Sequence, residues 1–195
     1  VTTPSVPETP WPARLETERL LLRPLESRDA RLVRKLAGAR EVADTTLLIP
    51  HPYPAGVAED FIAWTRQAAA AGTEYVFAVT LASSGALVGC VGLRVDETHA
   101  RAELGYWIGV PYWGRGYATE AARRVVRFAF ESLDLNRLDS SCFARNAASA
   151  RVLEKSGFAR EGLRPQHVRR FGRFEDLAIY GLLRGDWHAR GRAEA

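Results

Sequence analysis

Gly114-Arg115-Gly116 sits between two runs of different period. Before it, Glu103 to Val110 reads as a β-strand; after it, Ala118 to Leu133 repeats apolar residues at helical spacing. A glycine turn that opens a helix is an anion site. The first N–H groups of a helix have no intrahelical carbonyl, they point outward, and the peptide dipoles add partial positive charge. Gly114 and Gly116 accept backbone angles that other residues resist, and they leave no Cβ in the path of a phosphate. These residues could therefore bind a phosphate-bearing ligand along Gly114 to Thr119.

Two nucleotide motifs start in the same way. A P-loop requires Gly-x-x-x-x-Gly-Lys-Ser/Thr, and no Lys follows Gly116. A dinucleotide fingerprint needs a third small residue where Thr119 stands, and a strand that belongs to a parallel βαβ unit. Here the strand before the loop ends a meander with links too short for parallel neighbours.

Other reactive side chains are sparse. Cys90 and Cys142 lie in separate strand-like runs, form no Cys-x-x-Cys, and have no His at metal-ligand spacing, so no metal site is expected. They read as buried free thiols of a reducing, cytoplasmic compartment. The 27 Lys and Arg against 23 Asp and Glu give a net charge of +4. That balance suits an anionic ligand. No run of like charge marks a nucleic-acid arm, and Arg123, Arg124 and Arg127 read as the solvated face of a helix, so stable nucleic-acid binding is not expected.

The elements that must position the loop follow from periodicity. Leu15 to Arg23 reads as a strand, and Ser27 as the N-cap of a helix carrying Leu32, Val33 and Leu36. Ala39 to Pro54 reads as irregular. Val57 to Ala71 reads as a helix with Phe61, Trp64 and Ala68 on one stripe, closed by Gly72. Glu74 to Ala82, Ala86 to Val95 and Arg101 to Val110 make an antiparallel meander. After the Ala118 helix come a strand at Arg137 to Phe143, a short helix at Ala148 to Ser156, and a hairpin of Phe158 to Arg170 with Phe174 to Leu183. The expectation is an α/β (α+β) fold: a mixed, mostly antiparallel sheet of about seven strands flanked by about four helices.

At 195 residues the chain reads as one domain, residues 13–187. A Pro/Thr-rich loose arm precedes it at 1–12, without the apolar region of a signal peptide, and a tail follows at 188–195. No apolar run approaches the roughly 20 residues of a membrane span.

Trp113-Gly114-Arg115-Gly116-Tyr117-Ala118 resembles the Arg/Gln-x-x-Gly-x-Gly/Ala signature of the GNAT N-acetyltransferases, with Trp113 where the family usually has Arg or Gln. Four more segments are similar to the RimJ/RimL branch, which acetylates N-terminal amines of ribosomal proteins. They are Leu15 to Leu20 (LETERL), Ala102 to Trp107 (AELGYW), Tyr117 to Ala121 (YATEA) and Asn146 to Phe158 (NAASARVLEKSGF). The resemblance covers most of residues 15 to 187. It implies the GNAT fold and acetyl-CoA as cosubstrate. Pyrophosphate would sit on the amides of Gly114, Arg115, Gly116, Tyr117, Ala118 and Thr119, and the pantetheine arm would pair with Ile108, Gly109 and Val110 as an added strand. The family's Asn-x-x-Ser falls on Asn146 and Ser149. Asn146 would hold the cofactor arm, or simply cap the short helix, or both. Homodimers are common in the family, and this chain could form one.

Acetyl transfer to an amine needs a base for the amine, donors for the carbonyl oxygen and an acid for the departing thiolate. An amide N–H near Ile108 to Val110 would serve the oxyanion. By resemblance Glu103 is the base and Ser149 the acid. The bland readings are a strand-face Glu paired with Arg94 or Arg101, and a solvated hydroxyl in the first turn of a helix. Tyr106, Tyr112 and Tyr117 are alternative acids, and His51 and His167 alternative bases. A single Glu suits a protein N-terminal α-amine, whose pKa near ~7.8 makes it about 3.5 kcal/mol easier to deprotonate at neutral pH than lysine near ~10.4. The acceptor pocket would come from the variable parts, Asp44 to Tyr53, Trp64 and the Gln166 to Asp176 hairpin, with Asp44, Tyr53, Trp64 and Asp176 as its candidate residues, although either Asp could close a turn. The competing functions are acetylation of a small amine, such as an aminoglycoside or polyamine, and a non-catalytic acyl-CoA-binding module.

Overall fold

The computed structural model describes residues 14–193, so the arm read at 1–12 lies outside them. The elements in chain order are β1 (Leu15–Glu16), β2 (Leu20–Pro24), α1 (Ala30–Ala37), α2 (Arg40–Ala43), α3 (Val57–Ala70), β3 (Glu74–Leu81), β4 (Leu87–Asp96) and β5 (Arg101–Ile108). They continue with α4 (Tyr117–Glu131), β6 (Arg137–Phe143), α5 (Ala147–Lys155), β7 (Ala159–Arg170), β8 (Arg173–Leu183) and α6 (Arg184–Ala193). All the strands join one sheet, ordered β1-β2-β3-β4-β5-β6-β8-β7. Every neighbouring pair is antiparallel except β5 and β6.

The mixed, mostly antiparallel architecture is the expected one, with eight strands and six helices where about seven and four were read. Local differences have local causes. The first strand breaks in two because the chain turns at Thr17 to Arg19, where the Thr17 N–H bonds the Leu20 carbonyl (3.0 Å). The helix after Pro24 starts with a 3-10 turn at Ser27–Asp29, and a capping box of Glu26 and Asp29 does the work assigned to Ser27. Within the irregular stretch one helical turn, α2, forms. On α3 the buried stripe is Ala58, Ile62, Thr65, Ala68 and Ala69. Its small side chains let the helix approach the sheet, whereas Trp64 is 44% exposed and stacks on Phe61. Segment 188–193, read as tail, is the second half of α6.

Two helical layers bury both faces of the sheet. Tyr75, Phe77, Leu93 and Leu104 meet Val125, Phe128 and Ala129 of α4 on one face; Val76, Ala78 and Cys90 meet Val33, Ala58 and Ile62 on the other. That is why β3 shows weak alternation: Tyr75 through Thr80 are all buried.

A buried ion pair ties β2 to the start of α1. Arg23 binds both oxygens of Asp29 (2.7 and 2.9 Å), and Asp29 also accepts from the Glu26 N–H at 2.8 Å. Asp29→Asn strands the guanidinium and should cost about 3 kcal/mol at pH 7. Burial opposes ionisation of Asp29, but the Arg23 and Glu26 hydrogen bonds outweigh it and hold the carboxyl below its ordinary 3.8. A depressed pKa contributes stability that is present above the unfolded value and lost as pH falls through the folded one. The variant's deficit in urea unfolding should therefore be constant above about pH 6 and narrow below about pH 4; an equal deficit at pH 3 and pH 7 would refute the assignment.

The parallel pairing of β5 with β6 covers only Arg101↔Arg137, Ala102↔Leu138 and Glu103↔Asp139. Beyond Glu103 the backbone pairing of the two strands ends, with the Ser140 hydroxyl still donating to the Leu104 carbonyl (2.9 Å), and an opening follows between them. It lies directly before the glycine turn.

Candidate active site

The glycine turn has the backbone its sequence asked for. Gly114 and Gly116 hold φ of 73° and 81°, and Gly116 is the N-cap of α4. The first N–H of this stretch to reach a carbonyl is that of Glu120, on Gly116 (3.1 Å). Among the described residues no backbone hydrogen bond is made by the N–H groups of Gly114 through Thr119. This is a cradle of free donors at a positive helix end.

A clamp supports it from behind. Glu120, one turn into α4, accepts from the Thr17 hydroxyl (2.6 Å), the Arg19 N–H (2.9 Å) and Arg19 Nε (2.7 Å). Arg19 Nη1 also donates to the Arg115 carbonyl at 3.1 Å. Burial raises the Glu120 pKa, yet these bonds hold it below the usual range. The turn that splits the first strand thus fixes the start of α4.

Ahead of the loop, the Gly109 N–H bonds Val88 at 2.8 Å. In the β4–β5 register that bond sends the N–H groups of Tyr106 and Ile108 to the other edge of β5, into the opening beside β6. Trp113 closes the corner, its indole N–H donating to the Ile108 carbonyl at 2.6 Å. The position usually filled by Arg or Gln is still a donor, aimed at the strand end.

Across the opening stands α5. Asn146 is its N-cap, with Oδ1 accepting from the Ser149 N–H at 3.1 Å. The Tyr106 hydroxyl donates to the Ser149 carbonyl (3.1 Å) and lies 2.7 Å from Ser149 Oγ. Burial pushes the Tyr106 phenol well above its ordinary value, so it stays protonated through the working range. Burial likewise pushes up the thiols of Cys90 and Cys142, which disfavours the thiolate form of both.

Two cavities meet at this point. One, about 440 Å³, is lined by Gly114, Gly116, Tyr117, Thr119, Asn146 and Ser149. The other, about 430 Å³, runs over the opposite face of β3, β4 and β5 and is walled by Leu47, Leu48, Ile49 and Phe61. Thr45, Thr46, Tyr106, Trp107 and Ser149 line both. The 45–49 segment is held by arginines from distant parts of the chain. Arg145 bonds the Asp44 carboxylate (3.1 Å) and carbonyl (2.6 Å), Arg173 the same carboxylate (3.3 Å), and Arg170 the carbonyls of Ala43 and Ile49.

The second cavity ends in a row of charges. Glu74, Arg94 and Glu103 are register partners on β3, β4 and β5, so they share one face. Arg94 is ion-paired with Glu103, the bland reading realised, while Arg101 pairs with Asp96 instead (3.1 Å). Glu103 nevertheless faces the cavity. Burial raises the Glu74 pKa, Arg94 pulls it down and Glu103 pushes it up again, with a net rise.

The structure brings Ile108, Gly114, Gly116, Tyr117, Ala118, Thr119, Asn146 and Ser149 around one cavity, and Glu103 and Ser149 around the other. The expected acceptor residues fall elsewhere. Asp44 is consumed by Arg145 and Arg173. Asp176 closes the hairpin by accepting from the Gln166 N–H (2.7 Å). Tyr53 lines a separate surface hollow with Arg31 and Arg34. Trp64 stacks on Phe61 outside both cavities. Of the expected Asp44 to Tyr53 stretch, Thr45 through Ile49 do line the second cavity, whereas Glu74 and Gly105, which also line it, were missed. Of these two only Gly105 carried a signal, a glycine inside a strand.

Comparison with known proteins bears on the family and the fold. A family model described as Acetyltransferase (GNAT) domain matches residues 19–159. The N-acetyltransferase p20 of Bacillus licheniformis, itself uncharacterized, is 29% identical over 174 residues, 89% of this chain and 97% of the relative. A solved acetyltransferase (GNAT family) from Bacillus anthracis is 25% identical, with a TM-score of 0.79 over 88% of this chain and 99% of that one. A Vibrio cholerae structure provisionally named as a ribosomal-protein-serine acetyltransferase is 29% identical, with a TM-score of 0.71 over 87% of this chain and 97% of that one.

Proposed function

The chain belongs to the GNAT acetyltransferase family, and from that premise we propose that it moves the acetyl group of acetyl-CoA to a protein N-terminal α-amine, in the manner of the RimJ/RimL branch. The observation that carries the cosubstrate is the cradle of unbonded N–H groups from Gly114 to Thr119, next to an open strand edge. Pyrophosphate fits the cradle. The pantetheine arm fits the free edge of β5 toward Ile108, Gly109 and Val110, with Asn146 and Ser149 across from it. The thioester then lies where the two cavities meet.

The amine enters from the second cavity and meets the thioester there. Glu103, directly or through water, takes its proton, and the nitrogen lone pair forms the new C–N bond at the carbonyl carbon. Negative charge on the carbonyl oxygen is met by the Ile108 N–H on the open edge. The C–S bond breaks, and the thiolate takes a proton from Ser149, which Tyr106, 2.7 Å away, can replace. The ammonium loses two protons, one to Glu103 before attack and one to solvent as the new amide nitrogen becomes neutral; one proton reaches the thiol through Ser149 and Tyr106 and the other is released, so charge balances.

The α-amine is favoured because one carboxylate can deprotonate it, and because the relative from Vibrio cholerae is named for a ribosomal-protein acceptor. An acceptor panel with thiol release as readout tests this. A peptide with a free N-terminus should exceed an N-terminally blocked lysine peptide in kcat/KM by about 10-fold or more, given the ~2.6-unit gap in amine pKa. Preference for a polyamine or aminoglycoside would reassign the acceptor. Tight acetyl-CoA binding without thiol release would make the chain a binding module.

A further inference from the structure

Gly105 is exposed although it lies inside β5, the fifth of eight strands in the sheet. Glycine weakens a strand, so its presence there needs a cause, and two causes are internal to a fold: an unusual backbone angle or a crowded neighbour. The other glycines nearby have one. A Cβ on Gly89 would lie 2.2 Å from the Trp107 carbonyl, on Gly92 2.9 Å from the Tyr75 carbonyl, and on Gly109 2.8 Å from Leu36. Gly105 has neither. Its φ is not in the positive region, and nothing stands within 4 Å of where its Cβ would be.

What lies above it is the acceptor cavity. Glu103 and Trp107 flank it on the same face of β5, each about 7 Å away along the strand. Trp107 reaches the junction of the two cavities; Glu103 carries the carboxylate. The bare backbone between them is a gap of the size of a reacting group.

We propose that Gly105 is the seat of the acceptor: the attacking nitrogen and the carbon that bears it occupy the space a side chain would fill. This rests on the acetyltransferase reading above and adds the specificity it lacks. The carbon next to the nitrogen lies against the strand, so the site takes amines unbranched at that carbon in preference to branched ones. Among polypeptide acceptors, a chain beginning with glycine is taken ahead of one beginning with valine.

Gly105→Ala and Gly105→Val test this. Both residues suit a strand better than glycine, so Tm should equal or exceed that of the wild type. Acetyl-CoA affinity, read by calorimetry, should be unchanged. Transfer to a glycine-start peptide should fall in kcat/KM by about 10²-fold in the valine variant, the loss that a misplacement of ~1 Å produces, with a smaller fall in the alanine variant. In the alanine variant a valine-start peptide should lose more than a glycine-start one. Wild-type transfer kinetics in both variants would overturn the proposal, as would a lower Tm or lost acetyl-CoA binding, which would assign the glycine to the fold or to the cofactor cavity. If the wild type itself acetylates no amine, the acetyltransferase reading fails first and takes this proposal with it.

Discussion

Gly116→Glu should give no binding heat when titrated with acetyl-CoA to near-millimolar concentration. Gly116 caps α4 at φ 81°, a conformation that costs a side-chain-bearing residue about 1–2 kcal/mol. The larger effect is charge. A carboxylate placed about 4 Å from a pyrophosphate oxygen at a protein surface repels it by about 4 kcal/mol, roughly 10³-fold in Kd. A Cβ at Gly116 would also lie 3.4 Å from Arg19 Nη2. The new carboxylate would compete with Glu120 for that guanidinium and loosen the clamp behind the loop. Gly116→Ala separates the terms: it keeps the strain and the contact but not the charge, and should weaken binding far less. Acetyl-CoA binding by the Glu variant with wild-type affinity would put the pyrophosphate somewhere other than the Gly114 to Thr119 amides.

Glu103→Gln should leave acetyl-CoA affinity and the KM for the amine close to wild type and slow turnover by about 10²–10⁴-fold. The substitution keeps shape and an oxygen that can accept from Arg94, so the row of Glu74, Arg94 and Glu103 stays in register. What it removes is the ability to take a proton. An unchanged rate would move the base, and Glu74 is the alternative on the same face of the same cavity. Its burial and the neighbouring Glu103 hold its proton more tightly than an ordinary carboxylate does. The double variant Glu74→Gln, Glu103→Gln would then show the loss that the single one lacks.

The glycine-cradle side of this site was legible in the sequence, whereas the second cavity was legible only as a stretch, Asp44 to Tyr53, and not as the residues within it. The loop, α4 and α5 rest on local signals: glycines at positive φ, apolar residues at helical spacing, an Asn three positions before a Ser. Each sets the conformation of its own few residues, and each was placed within about one or two positions, the usual fraying of helix ends. The acceptor cavity depends on contacts far apart in the chain. Asp44 looked like a cation trap, and Arg145 and Arg173, about a hundred residues on, already hold it. Trp64 carried the strongest apolar signal on α3, but small residues decide which face of a helix packs against a sheet. α6 escaped notice because Arg184 to Ala193 has little apolar content and two glycines; Trp187, whose ring lies 5.4 Å from Phe130, anchors it by a tertiary contact. Gly105 was visible as a letter, but its vacancy exists only once β3, β4 and β5 lie side by side.

The pins on the 43–49 segment have a chemical consequence beyond geometry. All three are arginines, and of the 27 Lys and Arg in the chain only Lys35 and Lys155 are lysines. A protein that handles an activated acetyl thioester works in the presence of a reagent that modifies free amines. Guanidinium groups do not lose their proton in proteins and so offer no nucleophile to such a reagent. The ties from Arg145, Arg170 and Arg173 to the wall of the second cavity, and from Arg19 to the glycine turn, are therefore ones that stray acylation cannot cut. The catalyst is built almost without the functional group that it modifies, and its architecture is immune to its own chemistry at every one of these ties.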